Sequence, residues 1–302
     1  MNQLDLSGLA PIVLFTYKRL SETKQTIESL QANLLASESE LFIFSDGWKF
    51  DADKEKVLEV REYIKSVLGF NKVAVFESSE NKGLADSIIS GVTQIIEQYG
   101  KVIVLEDDLV TSPNFLSYMN SALSHYQDNE KIFSITGYTS PIKKPDRDVY
   151  FTQRASSWGW ATWKDRWDNI KWDLTLDYEL LKKNKTVRKQ FKKMGSDVYK
   201  MLHKQMTGKI DSWAIRWCYN QFLTQQYTVH PTISRIAHIG TGLSATHVKG
   251  KFDRFATSLD ETGIVDFNFM DDVYLDNYYL KQFLNNYTLS TRIKYRVLNM
   301  LF

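Results

Sequence analysis

Four short apolar runs separated by amphipathic segments constrain the fold of this chain more than any other feature. Each run is apolar almost throughout, which is typical of a strand buried on both faces of a sheet. The runs lie at residues 11–16, 41–45, 73–76 and 102–105. Between them, apolar residues recur at helical spacing, around Ile27, Val60 and Ile88. Strands and helices that alternate in this way predict a doubly wound, parallel sheet with right-handed crossover connections.

The second half of the chain is less regular but continues the α/β pattern. Ser112-Pro113 is typical of a helix start, and this helix is expected to reach about Tyr126. Further strands are expected at 132–136, 149–152 and 229–233, and a further helix from Asp211 to about Gln226. The sequence therefore predicts an α/β fold with a mostly parallel central sheet flanked by helices.

Polar side chains follow the predicted strands at their carboxyl ends. In a parallel sheet these ends meet at one edge, where open α/β sheets bind ligands. The side chains expected to gather there are those of Thr16, Arg19, Asp46, Lys82, Glu106, Asp107 and Asp108. The chain has no Gly-x-Gly-x-x-Gly after the first strand and no Walker lysine, so dinucleotide-binding and P-loop sites are disfavoured.

Three consecutive acids, Glu106, Asp107 and Asp108, directly follow the fourth strand. Because burying unpaired charge is costly, we expect them at the mouth of the strand and not inside the sheet. Adjacent carboxylates repel each other unless a cation neutralises them, and hard divalent ions prefer oxygen ligands. The triplet therefore indicates a platform for a metal ion and a diphosphate. The alternative is a solvated loop that caps the helix starting at Pro113.

Composition excludes several classes of protein. The chain has 302 residues, of which 43% are hydrophobic and 25% charged, which suits one large soluble domain or two small ones. A net charge of +2 argues against a nucleic-acid partner. The single cysteine, Cys218, cannot form an internal disulfide, which favours a reducing compartment. With no apparent signal peptide and no apolar run of about 20 residues, we expect a cytoplasmic protein.

Several short motifs follow one another in a characteristic order between residues 11 and 247. They are Arg19, Ser45-Asp46-Gly47, Glu106-Asp107-Asp108-Leu109, Trp158-Gly159-Trp160, Asp211-Ser212-Trp213 and Gly242-Leu243-Ser244. In order and spacing the chain resembles inverting glycosyltransferases of the GT-A fold, in particular the N-acetylglucosaminyltransferase I type and bacterial sugar transferases. The resemblance implies a GT-A, Rossmann-like catalytic domain over residues 1–250, with a nucleotide-binding half (1–110) and an acceptor-binding half (111–250). Residues 251–302 would form a C-terminal extension.

The resemblance also implies roles for individual residues. Arg19 and Asp46 would contact a uridine nucleotide, and Asp108 would bind the divalent metal, Mn²⁺ or Mg²⁺. Glu106 and Asp107 would face the donor sugar and ribose. Ser244 would lie in a loop that closes over the donor phosphates.

Asp211 matches the catalytic base of the same family. In an inverting transfer, a base takes the proton of the acceptor hydroxyl while that oxygen attacks from the side opposite the leaving group. The N-terminus of a helix lowers the pKa of a carboxylate, and Trp213 would exclude water from it. The alternative is an ordinary N-cap, in which backbone amides occupy the same oxygens.

Three further positions have a functional and a structural interpretation. Lys82 would add positive charge near the phosphates, or it is a solvated lysine of a turn. Gly159 would let the backbone approach a ligand closely. Trp160 is expected on the substrate side, because the C–H groups of sugars pack on aromatic faces, whereas core packing is the alternative for any tryptophan.

The predicted function is metal-dependent transfer of a hexosyl or N-acetylhexosaminyl group from a nucleotide sugar, expected to be UDP-linked. The acceptor would be a hydroxyl of a glycan or lipid-linked glycan, in bacterial surface polysaccharide synthesis. One alternative is a nucleotidyltransferase acting on sugar phosphates, which is disfavoured because residues 15–21 contain no glycine. Another is a non-catalytic carbohydrate-binding protein.

The C-terminal tail has two interpretations as well. Ile293, Val297 and Leu301 fall on one helical stripe, with Arg292, Lys294 and Arg296 nearby. Such a stripe predicts peripheral contact with the inner face of a membrane, or docking against the catalytic domain.

Overall fold

A computed structural model of the protein describes residues 8–240 and 252–301, and its centre is a large mixed sheet. The strands of the described residues are β1 (Ile12–Thr16), β2 (Glu40–Ser45), β3 (Lys72–Glu77), β4 (Lys101–Glu106), β5 (Leu109–Thr111), β6 (Ile132–Thr136), β7 (Val149–Thr152), β8 (Trp160–Trp163), β9 (Tyr227–Pro231) and β10 (Ile236–His238). The α-helices are α1 (Leu20–Gln31), α2 (Lys54–Lys65), α3 (Leu84–Tyr99), α4 (Phe115–His125), α5 (Lys164–Asp168), α6 (Thr175–Lys183), α7 (Lys185–Phe191), α8 (Val198–Met206), α9 (Trp213–Thr224), α10 (Asn277–Asn285) and α11 (Leu289–Leu301).

Eight strands form the main sheet in the order β3-β2-β1-β4-β8-β6-β9-β7, while β5 and β10 form a separate antiparallel pair. The four N-terminal strands are mutually parallel, as predicted. The other half is mixed, because β8 runs antiparallel to both β4 and β6, and β7 runs antiparallel to β9. The expectation of a mostly parallel sheet therefore describes the N-terminal half and not the C-terminal half.

The strand order places a topological switch point between β1 and β4. From β1 the chain proceeds to β2 and β3 on one side, and then crosses back to β4 on the other side of β1. Connections that leave two neighbouring parallel strands in opposite directions open a crevice at the carboxyl ends of those strands. Arg19 follows one of these strands, and the acidic triplet begins at the last residue of the other.

Two apolar cores lie on opposite faces of the sheet. Alternate residues of β1 point to opposite sides, as the two-residue period of a strand requires, with Leu14 in one core and Val13 in the other. Residues of α1, α2 and α4 fill the first core, and residues of α3 and α9 fill the second. Helix α3 approaches β1 closely at Gly91, where a Cβ atom would lie 2.8 Å from the Phe15 ring. This packing brings the start of α3 to the edge of the sheet.

A cluster of tryptophans fills the core under α3 and α9. The ring of Trp160 lies 4.8 Å from that of Trp217, 5.2 Å from that of Trp213 and 5.8 Å from that of Trp167, and Trp160 is only 1% exposed. The expectation that Trp160 faces the substrate is therefore wrong. Trp160 is the first residue of β8, a strand that the sequence did not predict. Because side chains alternate between the two faces of a strand, its ring lies on the side of the sheet that packs against α3 and α9.

The chain beyond residue 251 packs on this domain. Asn114 donates hydrogen bonds to Asp260 and to the Ile264 carbonyl, and Tyr126 donates one to the Met270 carbonyl. Helix α10 buries Tyr279 and Phe283 against β7, whereas α11 buries no residue. Among the described residues, no helix has the length and apolarity that crossing a membrane requires.

The tryptophan cluster gives a test of stability. Trp160→Ala should lower the free energy of unfolding by about 3–5 kcal/mol, because it removes a large buried ring and leaves a cavity. Denaturant unfolding at equilibrium measures the loss. Phe50→Ala, at an aromatic side chain that is 63% exposed, should change stability by no more than about 0.5 kcal/mol. A loss below about 1 kcal/mol for Trp160→Ala would contradict its role in the core.

Candidate functional site

A cavity of about 690 Å³ lies at the carboxyl ends of β1, β2 and β4. This volume lies in the range of small-molecule sites. The structure brings together there most of the residues that the sequence placed at this edge, namely Thr16, Arg19, Asp46, Glu106, Asp107 and Asp108. The cavity is also lined by residues that the sequence pattern did not predict for it, among them Tyr17, Lys18, Lys49, Lys56, His238 and Gly240.

Arg19 holds the acidic triplet in place. Its guanidinium forms ion pairs with Asp107 and with Asp108, the second at 2.8 Å, and all three side chains are largely buried. The Tyr17 amide also donates to Asp107, at 3.4 Å. One guanidinium with several donors suits two carboxylates better than a lysine would. The loop after β1 is thus bound electrostatically to the end of β4.

The three acids differ in their affinity for protons. Burial, together with the charges of Asp108 and Asp107, raises the pKa of Glu106 to about 8. Burial also raises the pKa of Asp107 to about 6, against the opposing charge of Arg19. For Asp108, burial is outweighed by the hydrogen bond from His238 and by Arg19, which together lower its pKa. The cluster therefore carries more acidic groups than one arginine neutralises, and Asp108 is the most readily ionised of them.

His238 is a site residue that the sequence did not indicate. It ends β10, which pairs with β5 directly after the acidic triplet, so that Nε2 of His238 lies 3.3 Å from Oδ2 of Asp108. The Trp158 ring stacks on the imidazole, with centroids 4.9 Å apart and planes 9° from parallel. No periodicity or spacing predicted this pairing, since β5 and β10 have three residues each and are distant in sequence.

Gly240 keeps the backbone close to Asp108. A Cβ atom at this position would lie 2.5 Å from Oδ2 of Asp108 and 2.9 Å from Nε2 of His238. Any larger side chain would therefore displace the carboxylate or the imidazole from the cavity.

Asp46 lines the cavity but also clamps a turn. Its carboxylate accepts hydrogen bonds from the amides of Gly47, Lys82 and Gly83, each at 2.9 Å, and from the Asn81 side chain at 3.0 Å. These bonds fix the turn from which α3 begins. The interactions give Asp46 a structural role in addition to the expected contact with a nucleotide.

Lys82 is at this turn, with its amide bound to Asp46 and its side chain exposed. It lines an adjoining cavity of about 260 Å³, which shares Asp46 and Ser87 with the larger one. Within residues 8–240 and 252–301, its ammonium forms no ion pair. Lys82 is therefore at the border of the site and not inside it.

Basic side chains also line the cavity. Lys18 forms an ion pair with Asp53 at 2.6 Å, and the hydroxyl of Tyr17 donates to the same carboxylate. Lys49 and Lys56 line the cavity as well. The cavity is thus lined by basic side chains as well as by the acidic triplet.

Gly159 packs against Ile236 of β10. It has a φ of +54°, and a Cβ atom there would lie 2.5 Å from Cγ1 of Ile236. The close approach that the sequence predicted therefore exists, but its partner is β10 and not a ligand. Gly159 allows β10 to sit where it carries His238 to Asp108.

Asp211 does not line the cavity. Its side chain is 60% exposed and lies 3.3 Å from Nη2 of Arg216. Ser212 caps α9 by accepting from the Ile215 amide, so the alternative interpretation of Asp211 as the N-cap is wrong. Helix α9 packs against α3, whose first turn lines the cavity through Leu84. Ser244, also expected at the site, lies outside the described residues.

The donor set fits a divalent ion only in part. Asp108 and His238 are adjacent, but no group of three or more His, Cys, Asp or Glu side chains within the described ranges could enclose a metal. The charge excess of the triplet favours a cation, and a carboxylate with an imidazole is a suitable pair of ligands. An ion bound here would need further ligands, which the phosphates of a substrate or water would supply.

Comparison with known proteins adds little. No protein-family model and no curated protein matches the sequence. The mannosyltransferase PcManGT from Pyrobaculum calidifontis, solved in complex with GDP-Man and Mn²⁺, is similar over 54% of this chain and 47% of its own, with 10% identity and a TM-score of 0.37. TarS from S. aureus is similar over 46% of this chain and 24% of its own, with 12% identity and a TM-score of 0.31. This chain thus spans less than half the length of either protein, and similarity at these TM-scores carries no argument about function.

The clamp at Asp46 gives a local test. Asp46→Ala removes the acceptor of several amides, so hydrogen exchange at Lys82 and Gly83 should accelerate by at least roughly tenfold. Exchange followed by mass spectrometry or NMR measures this. Asp86→Ala, which removes an exposed carboxylate from the first turn of α3, is the control and should leave that exchange nearly unchanged. Equal protection in the Asp46 variant and the wild type would mean that the clamp is unimportant.

Proposed function

We propose that the protein is a metal-dependent, inverting glycosyltransferase whose nucleotide-sugar donor binds in the 690 Å³ cavity. The observation that carries the proposal is the acidic triplet, bound by Arg19, in a cavity at the switch point of an open α/β sheet. Open sheets of this kind bind their ligands at that point. A nucleotide sugar needs cations for its diphosphate and polar groups for its ribose and sugar, and this cavity offers both.

The donor is assigned to the cavity by chemistry. Lys18, Lys49 and Lys56 supply positive charge for the diphosphate, and Lys82 adds more from the border. Arg19 and Asp46 are assigned to the nucleotide, which we propose is uridine, with Thr16 beside them. Glu106 and Asp107 are assigned to the sugar and ribose, whose hydroxyls form hydrogen bonds with carboxyl oxygens.

The metal site is assigned to Asp108, with Nε2 of His238 as a second ligand once the ion replaces the hydrogen bond between the two side chains. A divalent ion bound there, Mn²⁺ or Mg²⁺, would stabilise the negative charge that develops on the leaving diphosphate. Arg19 keeps the Asp108 carboxylate ionised and oriented, and Gly240 leaves space in front of it. Trp158 fixes the plane of the His238 ring through stacking.

Asp211 is proposed as the base that removes the proton of the acceptor hydroxyl. Three features support this assignment: its match to the family's motif, its exposure, and its location beside α9, which packs on the helix bordering the cavity. The carboxylate pairs with Arg216, which an acceptor would displace. The proposed acceptor is a glycan or a lipid-linked glycan of a bacterial surface polysaccharide.

A thermal-shift screen with UDP, GDP and CMP, each with and without Mn²⁺, tests the proposal as a whole. The proposal requires a shift by a nucleoside diphosphate that increases when Mn²⁺ is present. A screen without any nucleotide shift would favour a non-catalytic carbohydrate-binding protein. Release of pyrophosphate from a nucleoside triphosphate and a sugar phosphate would favour a nucleotidyltransferase.

Asp108→Ala should abolish the contribution of Mn²⁺ to nucleotide affinity, because the variant lacks the proposed anionic ligand. His238→Ala should reduce the same contribution in part. Calorimetric titration of UDP at several Mn²⁺ concentrations measures both effects. Asp128→Ala, at an exposed carboxylate near the amino end of β4, should behave as the wild type does. Full dependence on Mn²⁺ in the Asp108 variant would move the metal site elsewhere.

Asp211→Asn should retain donor binding and lose transfer by roughly 10²–10⁴-fold, as expected when a general base is removed. Turnover with a panel of sugar nucleotides and glycan acceptors measures the loss, and titration of the nucleotide measures binding. Asp272→Asn, at an exposed acid of the C-terminal segment, is the matched control and should remain active. Unchanged turnover in the Asp211 variant would refute its assignment as base.

A further inference from the structure

Helix α11 contacts the rest of the protein through its more polar side. Arg292 donates to the Ser196 hydroxyl at 3.0 Å, and the Asn299 side chain forms two hydrogen bonds with the backbone of Phe252, at 2.8 and 2.9 Å. Tyr295 and Leu298, which share this side, are half-buried. These contacts fix which face of the helix points outward.

The outward face of α11 is apolar. The exposed fractions of its side chains are 63% for Leu289, 54% for Ile293, 46% for Val297, 76% for Met300 and 69% for Leu301. At 3.6 residues per turn these five positions fall within an arc of about 120°. A surface helix normally turns its apolar side toward the core, and contiguous exposed apolar surface marks an interaction site. This helix therefore presents to its surroundings the face that a partner would have to cover.

Basic side chains border that face. Lys294 and Arg296 are exposed and lie on opposite borders of the apolar arc, from which long side chains can reach outward. Residues 182–193, shortly before Ser196, contain seven basic residues and no acid: Lys182, Lys183, Lys185, Arg188, Lys189, Lys192 and Lys193. An apolar stripe with basic side chains at its borders is the pattern that binds anionic lipid surfaces.

We propose that α11 docks on an anionic membrane surface, with its apolar face at the boundary between headgroups and acyl chains. The basic segment 182–193 adds electrostatic attraction. A second copy of the chain fits less well, because pairing two such faces would bring positive charges together, whereas anionic lipid complements them. The inference is independent of the proposed transferase activity, since it rests on a surface outside the cavity.

Sedimentation of the full-length chain with vesicles tests this. The protein should bind vesicles of phosphatidylcholine with about 30 mol% phosphatidylglycerol and should bind pure phosphatidylcholine much less, with binding that weakens as salt increases. The double substitution Ile293→Glu and Val297→Glu should reduce the partition coefficient by at least roughly tenfold, since it places two charges in the apolar face. Both positions are exposed, so the thermal unfolding of the variant should match that of the wild type.

The matched control is the double substitution Leu58→Glu and Leu68→Glu. These leucines are also exposed, and they lie on or just after α2, near the edge formed by β3, whereas α10 packs at the edge formed by β7. The control should partition as the wild type does. Equal binding by the α11 variant, or no binding of the wild type to anionic vesicles, would overturn the proposal. A wild-type dimer in light scattering that the α11 variant loses would instead assign the face to self-association, and would also overturn it.

Discussion

The ion pairs from Arg19 to Asp107 and Asp108 are the interaction on which the rest of the site depends. They join the loop after β1 to the end of β4, across the crevice that the strand order opens. Removing one partner of a buried ion pair leaves an uncompensated charge, which typically costs about 3–5 kcal/mol. Arg19 therefore holds the acids at the mouth of the cavity. Its single positive charge neutralises only part of their negative charge. The negative charge that remains suits a cation, which in turn would attract a diphosphate.

The C-terminal half of the chain completes the site through close backbone contacts. The pairing of β10 with β5 places His238 beside Asp108, and this arrangement requires two glycines. At Gly159 and at Gly240, a side chain would collide with Ile236 and with Asp108, respectively. A cavity that begins in the parallel half of the sheet is thus closed by residues more than a hundred positions away.

The sequence predicted the parallel half of the sheet and six of the polar residues that line the cavity, because buried strands have continuous apolar runs and their carboxyl ends converge. It did not predict His238, because three-residue strands have no usable periodicity. The prediction for Trp160 was wrong, because the sequence around a tryptophan does not show whether its ring faces a sugar or the core. The helix predicted to start at Asp211 starts two residues later, at Trp213. The sequence alone does not distinguish Asp211 from Ser212 as the N-cap, because both residue types are common there. The outward orientation of α11 became visible only from the contacts of its polar side.

We propose that Asp108 provides the anionic ligand of a divalent ion when a nucleoside diphosphate is bound in the cavity. Crystals of the protein grown with UDP and Mn²⁺, measured at a wavelength where manganese scatters anomalously, test this most directly. We expect an anomalous peak in contact with the Asp108 carboxylate and with the phosphates of the nucleotide. A nucleotide bound with no peak at Asp108, or a peak outside this cavity, would contradict it.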